Sequence, residues 1–233
     1  MNQQPLIVVS GGSKGIGKAI LKRFASSGFR VAAFARNPEQ LNLLKNELKT
    51  ENNLFIRQVD ASDKKALQDF AVELLNTMGT PSVLVNNAGQ FKPGQILTEE
   101  DGTLETLLKV NVESAYHLTR ALVPFMKKQN RGHVFNMCST ASIIPYTNGG
   151  SYCISKFALL GMSKVLREEL KETGIRVTAV LPGATLTDSW AGTDLPQSRF
   201  MKAEDIAEAV WAAYSMESAV IEELLIRPQY GDI

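Results

Sequence analysis

The chain has 233 residues, of which 44% are hydrophobic and 21% charged, as in an ordinary globular protein. These values exclude the disordered, collagen-like and coiled-coil classes, and the length suits one α/β domain or two small ones. The 25 basic and 24 acidic side chains give a net charge of +1, so the chain lacks the positive field that attracts nucleic acid or an anionic membrane. We therefore expect a ligand of substrate size.

The sequence shows no sign of a membrane span or a metal site. Its start has no basic segment, and no apolar run approaches the roughly 18 residues of a spanning helix, so we expect a cytoplasmic protein. Cys138 and Cys153 are not in a CxxC spacing, and His117 and His133 have no metal-ligand spacing. Both thiols are predicted to be reduced, buried and directed away from the site, with redox sensing as the alternative.

Short β-branched runs alternate with longer amphipathic segments from Pro5 onward. This alternation is typical of a parallel sheet covered by helices on both faces. We therefore predict a doubly wound Rossmann fold of the α/β class, with one seven-stranded parallel sheet in a single domain over residues 1–233. The strands are predicted at residues 6–10, 30–35, 54–59, 83–86, 133–137, 176–181 and 223–226.

The segments between these strands are long enough to serve as right-handed helical crossovers. The least regular part of the chain follows the sixth strand, and a loop of that length inside a compact domain is usually functional. A lid is therefore predicted at about residues 184–201. The helices are predicted to begin near Gly15, Pro38, Asp63, Leu104, Ser151 and Ala203.

A glycine-rich turn, residues 11–17, lies between the first strand and the first helix. Glycines let the backbone turn tightly and approach a pyrophosphate, and the helix N-terminus offers free N–H groups to the anion. The spacing is GxxxGxG, whereas the general dinucleotide-binding fingerprint is GxGxxG. The turn alone therefore leaves both dinucleotide binding and a purely structural role open.

Polar residues recur at strand ends and helix starts further along the chain. The sequence Asn-Asn-Ala-Gly at 86–89 closes the fourth strand, Asn111 lies in a predicted helix, and Ser139 follows the fifth strand. Tyr152 and Lys156 are four residues apart, so both side chains lie on one face of a helix. Taken singly, each of these residues could instead be a packing residue, a solvated charge or a partner for backbone groups.

Together with Pro182, Gly183 and Thr187, these ordered motifs resemble the short-chain dehydrogenase/reductase superfamily, in its single-domain form, over essentially the whole chain. The resemblance implies an enzyme that transfers a hydride between a nicotinamide cofactor and a carbonyl or alcohol. It implies that Tyr152 is the general acid/base and Lys156 the cation beside it. It also implies that Ser139 donates a hydrogen bond to the carbonyl and that Asn111 holds a water in a proton relay.

Elementary electrostatics agrees with the role of Tyr152. An ammonium about 5 Å from a phenol, at an effective dielectric of about 20, favours the phenolate by roughly 3 kcal/mol. Lys156 is therefore expected to lower the pKa of Tyr152, and the resemblance implies that it also binds the nicotinamide ribose.

The cofactor is predicted to be NADP(H). NAD-specific enzymes carry an acidic residue at the end of the second strand, where this chain has Ala35 and Arg36. Arg36 and Lys14 can both pair with a 2′-phosphate, although either could be an ordinary surface charge, and Asp60 could be only a cap or turn residue. The resemblance implies cofactor contacts from Gly11, Ser13, Lys14, Gly15, Ile16, Gly17, Arg36, Asp60, Ala61, Asn87, Ala88, Gly89, Tyr152, Lys156, Pro182, Gly183 and Thr187.

The substrate is expected to be small and largely apolar. Its pocket is predicted from positions after the Asn-Asn-Ala-Gly segment, after Ser139 and in the lid, although packing roles there are equally possible. The pocket walls are Phe91, Ile143, Tyr146 and Trp190.

Two alternative functions stay open. A 3-oxoacyl-carrier-protein reductase is disfavoured because such enzymes often end in a glycine pair, which the segment 222–228 lacks. A non-catalytic NADPH sensor would need neither Tyr152 nor Lys156, and an NADPH consumption assay separates it from an enzyme. The resemblance also implies a homo-oligomer, a dimer or tetramer, built on the helices that begin near Leu104 and Ser151.

Overall fold

One parallel sheet runs through the centre of the protein, and its central strands are buried on both faces, whereas the edge strand at residues 223–226 is partly exposed. The computed structural model of the chain describes residues 4–48, 53–190 and 192–232. The strands are β1 Leu6–Ser10, β2 Arg30–Ala35, β3 Leu54–Gln58, β4 Val83–Asn86, β5 Gly132–Met137, β6 Ile175–Pro182 and β7 Glu223–Ile226. Their order in the sheet is β3-β2-β1-β4-β5-β6-β7, with every neighbouring pair parallel. The predicted doubly wound, seven-stranded fold is therefore confirmed.

Helices cover both faces of the sheet, and the alternation of side chains along the strands supplies a core to each face. The α-helices of the described residues are α1 Gly15–Ser26, α2 Pro38–Leu48, α3 Lys64–Met78, α4 Thr103–Leu108, α5 Ser114–Lys128, α6 Gly150–Leu170 and α7 Ala203–Ser215. In β1, Ile7 and Val9 join the core beneath α1, α2 and α7, whereas Leu6 and Val8 join the core beneath α3, α5 and α6.

The sequence-based boundaries agree with these elements to within one residue, with one exception. The single helix predicted from Leu104 is instead two helices, α4 and α5, joined by the π-helical segment Lys109–Glu113. A π turn holds one residue more than an α turn and is frequent at functional sites. Here it contains Asn111, whose side chain is buried and hydrogen-bonded to Gln90 in the loop after β4 and to Ser155 of α6. Among the described residues, no helix has both the length and the apolar character that a membrane crossing requires.

Candidate active site

A cleft of about 530 Å³ opens at the carboxyl ends of β1, β2 and β4. The order of the strands reverses between β1 and β4, and ligands of open α/β sheets bind outside such a switch point. The cleft brings together twelve of the residues predicted to contact the cofactor, from five separate segments of the chain. They are Gly11, Ser13, Lys14, Gly15, Ile16, Arg36, Asp60, Ala61, Asn87, Ala88, Gly89 and Thr187.

The glycine turn packs directly against the loop that follows β4. Gly11 has a φ of +65°, and a Cβ atom there would lie 3.0 Å from Ala88 Cα. A Cβ atom on Gly17 would lie 2.5 Å from Asn87 Nδ2, which donates hydrogen bonds to the backbone oxygens of Ser10 and Gly11. Glycine is therefore required for this close approach, and Gly17 acts through packing because it does not line the cleft.

Pro182 and Gly183 lie at the end of β6, outside the set of residues that line the cleft. A Cβ atom on Gly183 would lie 2.8 Å from Asp232 Oδ1 and 3.1 Å from Pro228 Cδ. Gly183 is therefore packed against the C-terminal segment, and the cofactor contact predicted for these two residues stays a prediction.

Both cations predicted to recognise a 2′-phosphate line the cleft. Lys14 forms an ion pair with Asp188, an acidic residue that directly follows Thr187. Arg36 lies near Asp60, whose pKa is lowered mainly by the hydrogen bond from the Ser62 N–H and, to a smaller extent, by the charge of Arg36.

Asp60 has two roles. Its Oδ1 accepts hydrogen bonds from the backbone N–H and the hydroxyl of Ser62, both at 2.8 Å, which closes a turn. Asp60 also lines the cleft. The turn role and the predicted position beside the adenosine are therefore compatible.

Tyr152 and Lys156 lie one turn apart at the start of α6. Lys156 is buried, and its Nζ donates a hydrogen bond to the Met137 carbonyl at 2.8 Å, with the Tyr152 ring centroid 5.8 Å away. Ser139 follows β5 and caps a short 3-10 turn through its Oγ, which accepts a hydrogen bond from Ala141 N–H. Phe91, in the wall of the cleft, packs edge-on against the Tyr152 ring at 4.9 Å. Tyr152 therefore adjoins the wall of the cleft through Phe91, whereas Tyr152, Lys156 and Ser139 are not themselves among its lining residues.

The electrostatics of this pair differ from the expectation. Burial raises the pKa of Tyr152, and an interaction with the Ser139 hydroxyl opposes that change. Burial also lowers the pKa of Lys156. The net change in the pKa of Tyr152 is therefore opposite in direction to the expected one, because desolvation disfavours the charged form of both groups.

Asn111 holds the backbone of the loop that carries Phe91. Its Oδ1 accepts a hydrogen bond from Gln90 N–H at 2.7 Å, and its Nδ2 donates to the Gln90 carbonyl at 3.0 Å and to Ser155 Oγ at 2.9 Å. A Cβ atom on Gly89 would lie 3.4 Å from Asn111 Oδ1 and 3.6 Å from Lys156 Nζ. Asn111 and Lys156 therefore both lie close to Gly89, and Asn111 fixes the wall of the cleft, while its relay role stays a prediction.

Three of the four predicted pocket walls are accessible. Phe91, Ile143 and Tyr146 are 37%, 38% and 46% exposed, which leaves apolar surface open for a ligand. Trp190 instead packs edge-on against Phe200, with ring centroids 5.0 Å apart, so it stabilises the predicted lid from within.

Sequence reasoning missed several residues that line the cleft. Asn37 and Gln40 follow Arg36 closely, and Gln90 directly follows the Asn-Asn-Ala-Gly segment. Their closeness in sequence to the predicted motifs could have identified them as residues of the cleft. Phe34 and Val59 carried no signal of their own beyond lying at the ends of predicted strands. The remaining missed residues of the cleft are Val110 and Asp188.

Both cysteines and His133 are buried side chains in this structure. Cys138 and Cys153 are buried, as predicted, and burial raises the pKa of Cys138 to about 11. His133 is buried with its Nε2 2.8 Å from Thr178 Oγ1, and burial lowers its pKa to about 2. Within the described part of the chain, no group of three or more histidine, cysteine or acidic side chains could hold a metal ion.

Comparison with known proteins agrees with the fold and identifies the family. The sequence profile described as short chain dehydrogenase matches residues 5–197. A sepiapterin reductase of Chlorobaculum tepidum is 32% identical over 240 residues, which cover 98% of each chain. An NADP-dependent 3-hydroxy acid dehydrogenase of Escherichia coli is 32% identical over 225 residues, 88% of this chain and 87% of that one.

Among solved structures, the closed form of a serine dehydrogenase complexed with NADP+ superposes with a TM-score of 0.88 at 29% identity. The match covers 98% of this chain and 96% of that one. The chain therefore belongs to the short chain dehydrogenase family of oxidoreductases.

Proposed function

We propose that this protein is an NADP(H)-dependent oxidoreductase that transfers a hydride between the nicotinamide and a carbonyl or alcohol of a small, largely apolar substrate. One observation carries the proposal: Tyr152 stands beside Ser139, one helical turn from the buried Lys156, and its ring contacts Phe91 in the wall of the cleft. A phenol, a hydroxyl and an ammonium are the groups that protonate and polarise a carbonyl oxygen.

The residues of the cleft fit NADP(H). The glycine turn exposes backbone to a pyrophosphate, since Gly11 and Gly15 have φ values of +65° and +53° that favour glycine. Arg36 and Lys14 at the cleft supply the positive charge that a 2′-phosphate needs. Of the proteins named above, the 3-hydroxy acid dehydrogenase is NADP-dependent and the serine dehydrogenase is complexed with NADP+. When bound, NADP(H) donates or accepts the hydride.

The side chains of the site transfer the proton to or from the substrate oxygen. In carbonyl reduction, the Ser139 hydroxyl donates a hydrogen bond to the substrate oxygen, and Tyr152 transfers its phenolic proton to that oxygen. A pKa raised by burial keeps the phenol protonated at neutral pH, which suits a general acid. Lys156 balances the negative charge left on Tyr152. In alcohol oxidation the same proton moves back to Tyr152.

The side chains around Tyr152 favour an apolar substrate. The exposed surfaces of Phe91, Ile143 and Tyr146 border the phenol or follow Ser139 along the chain, and apolar contact with a substrate would remove them from water. A 3-oxoacyl-carrier-protein reductase and a non-catalytic sensor remain the alternatives.

A homo-oligomer is part of the same proposal. The helices α5 and α6 expose large apolar side chains, and such surface is usually covered by a partner. We expect a dimer or tetramer, which light scattering at micromolar concentration tests, and a monomer there would contradict it. The exposed apolar side chains of α5 and α6 are Tyr116, Phe125, Ile154, Phe157 and Val165.

A cytoplasmic location, a single domain and a lid at residues 184–201 stay predictions.

The deciding experiment follows NADPH consumption against a panel of aldehydes, diketones and 3-oxo esters, with the Tyr152→Phe variant in parallel. We expect turnover with at least one class for the parent protein and loss of it in the variant. Tight binding of NADPH without consumption across the whole panel would favour the sensor and contradict the enzyme.

A further inference from the structure

The loop of residues 90–99, called the strap here, connects the cleft with the start of α6. At one end Asn111 holds the backbone of Gln90 through two hydrogen bonds. At the other end Glu99 reaches the first turn of α6 at Ser151. The strap is therefore fixed at both of its ends.

The first turn of α6 has no capping side chain of its own. Its N-cap residue is Gly149, which makes no side-chain cap hydrogen bond. Glu99, 52 residues earlier, supplies the missing acceptors: one carboxylate oxygen accepts a hydrogen bond from Ser151 Oγ, and Oε2 accepts one from Ser151 N–H at 3.4 Å. A carboxylate at this place satisfies a free N–H group and also interacts favourably with the helix dipole.

The strap and the segment before α6 contact each other around this carboxylate. Gly94 N–H donates a hydrogen bond to the Asn148 carbonyl at 2.9 Å, and Gln95 Nε2 donates one to Asn148 Oδ1 at 2.9 Å. A Cβ atom on Gly150 would lie 2.9 Å from Glu99 Oε2 and 2.6 Å from the Gly94 oxygen. Glycine at position 150 is therefore what lets the strap lie against the helix start.

We propose that Glu99 is a positioning residue that holds the first turn of α6 and thereby places the phenol of Tyr152. The inference rests on the role of Tyr152 proposed above. Ser151 directly precedes Tyr152, so fraying or rotation of this turn moves the phenol away from Ser139, which is held separately by its own 3-10 turn. A displacement of about 1 Å at a reacting group can lower the rate roughly a hundredfold.

Glu99→Ala, Glu99→Gln and Glu100→Gln test this role. Glu100 is the matched control because it is the next residue, carries the same charge and pairs with Lys92 rather than with α6. We expect Glu99→Ala to lower kcat about tenfold to a hundredfold with the KM for NADPH changed less than about threefold. Glu99→Gln, which keeps one acceptor oxygen, should lie between the parent and the alanine variant. Glu100→Gln should match the parent.

Amide hydrogen exchange supplies a readout that does not depend on turnover. The Ser151 N–H is bonded to Glu99 and should exchange at least about tenfold faster in Glu99→Ala, because local opening of the turn then has a lower free energy. Exchange in the second half of α6 should stay as in the parent.

Three results would overturn the inference. They are a kcat within twofold of the parent in Glu99→Ala, a loss of the same size in Glu100→Gln, or unchanged exchange at Ser151. If Glu99→Ala does not fold, Ser151→Ala removes the partner hydroxyl and should lower kcat several-fold, and a parent-like kcat would then count against the role. A parent protein that consumes no NADPH overturns the proposed function, whereas unchanged exchange at Ser151 refutes the role of Glu99 alone.

Discussion

The Lys14 ammonium of the glycine turn forms an ion pair with the Asp188 carboxylate across the mouth of the cleft. The two residues are 174 positions apart, and Asp188 begins the 3-10 turn Asp188–Trp190 of the predicted lid. Both side chains are more than half exposed, so the pair contributes at most about 1 kcal/mol. A 2′-phosphate with nearly two negative charges can therefore displace Asp188 from Lys14.

Replacing Asp188 by Asn should strengthen NADPH binding. The variant removes the carboxylate that competes for Lys14, so we expect the Kd for NADPH to fall about two- to fivefold, in line with the small value of an exposed pair. The Kd for NADH should change little. Fluorescence titration measures both constants, with Asp194→Asn as the control in the same segment. An unchanged or raised Kd for NADPH would show that the pair does not compete with the cofactor.

Tyr152→Phe should remove nearly all turnover and leave NADPH binding almost intact. Only the proton donor is lost, so kcat should fall about a hundredfold or more, the usual scale of general acid catalysis. Lys156→Ala should damage both turnover and NADPH affinity. Steady-state kinetics and titration measure the two effects, with the exposed Tyr230→Phe as the control. Turnover within a few-fold of the parent in Tyr152→Phe would refute the assigned acid.

The cofactor preference should favour NADPH over NADH in kcat/KM on the order of a hundredfold, since each charged contact is worth about 1.5 to 3 kcal/mol. Ala35→Asp combined with Arg36→Ala should shift the preference toward NADH, because it removes an attraction for the phosphate and adds a repulsion. Raising the salt concentration should reduce the preference of the parent. Lys45→Ala removes one positive charge outside the cleft and serves as the control. Equal kcat/KM values for the two cofactors in the parent would contradict the role of Arg36 and Lys14.

The pH dependence of turnover should follow the raised pKa of Tyr152. The protonated phenol needed for reduction persists through neutral pH, so kcat for reduction should stay level from about pH 6 to 8. Oxidation needs the phenolate, so its kcat should rise with pH over that range, by up to about tenfold per unit. Initial rates in both directions test this difference. A reduction rate that already falls between those values would mean that the phenol ionises early.

His133 should make the fold less stable in acid. Its pKa is lowered to about 2 by burial, so at pH values between about 2 and its ordinary 6.5 the unfolded chain binds the extra proton and the folded protein does not. The free energy of unfolding therefore falls as the pH falls below about 6.5, by up to about 1.4 kcal/mol per unit from this group. Urea unfolding at several pH values should show a smaller loss in His133→Gln. An equal loss of unfolding free energy in the parent and in His133→Gln would mean that groups other than His133 cause the acid sensitivity.

Local patterns in the sequence were enough to predict the elements and the motif residues. Runs buried on both faces predict parallel strands, and their boundaries agree with the structure to within a residue because strand and helix starts depend on neighbouring residues. The four-residue spacing of Tyr152 and Lys156 places them on one helix face in any α-helix. The glycine turn follows from the same local logic, since Gly11 and Gly15 adopt positive φ values.

The tertiary structure alone decided the features that join distant residues. Glu99 caps α6 at Ser151, 52 positions further along the chain, and Lys14 forms an ion pair with Asp188, which is 174 positions away. The π turn at Asn111 accompanies hydrogen bonds with Gln90 that no periodicity in the sequence encodes. The sign of the Tyr152 pKa shift belongs to the same group, because desolvation depends on which side chains surround the phenol. The sequence by itself determined which chemical groups and which fold are present. Their packing determined how those groups are held, because burial and long-range contacts are properties of the assembled chain.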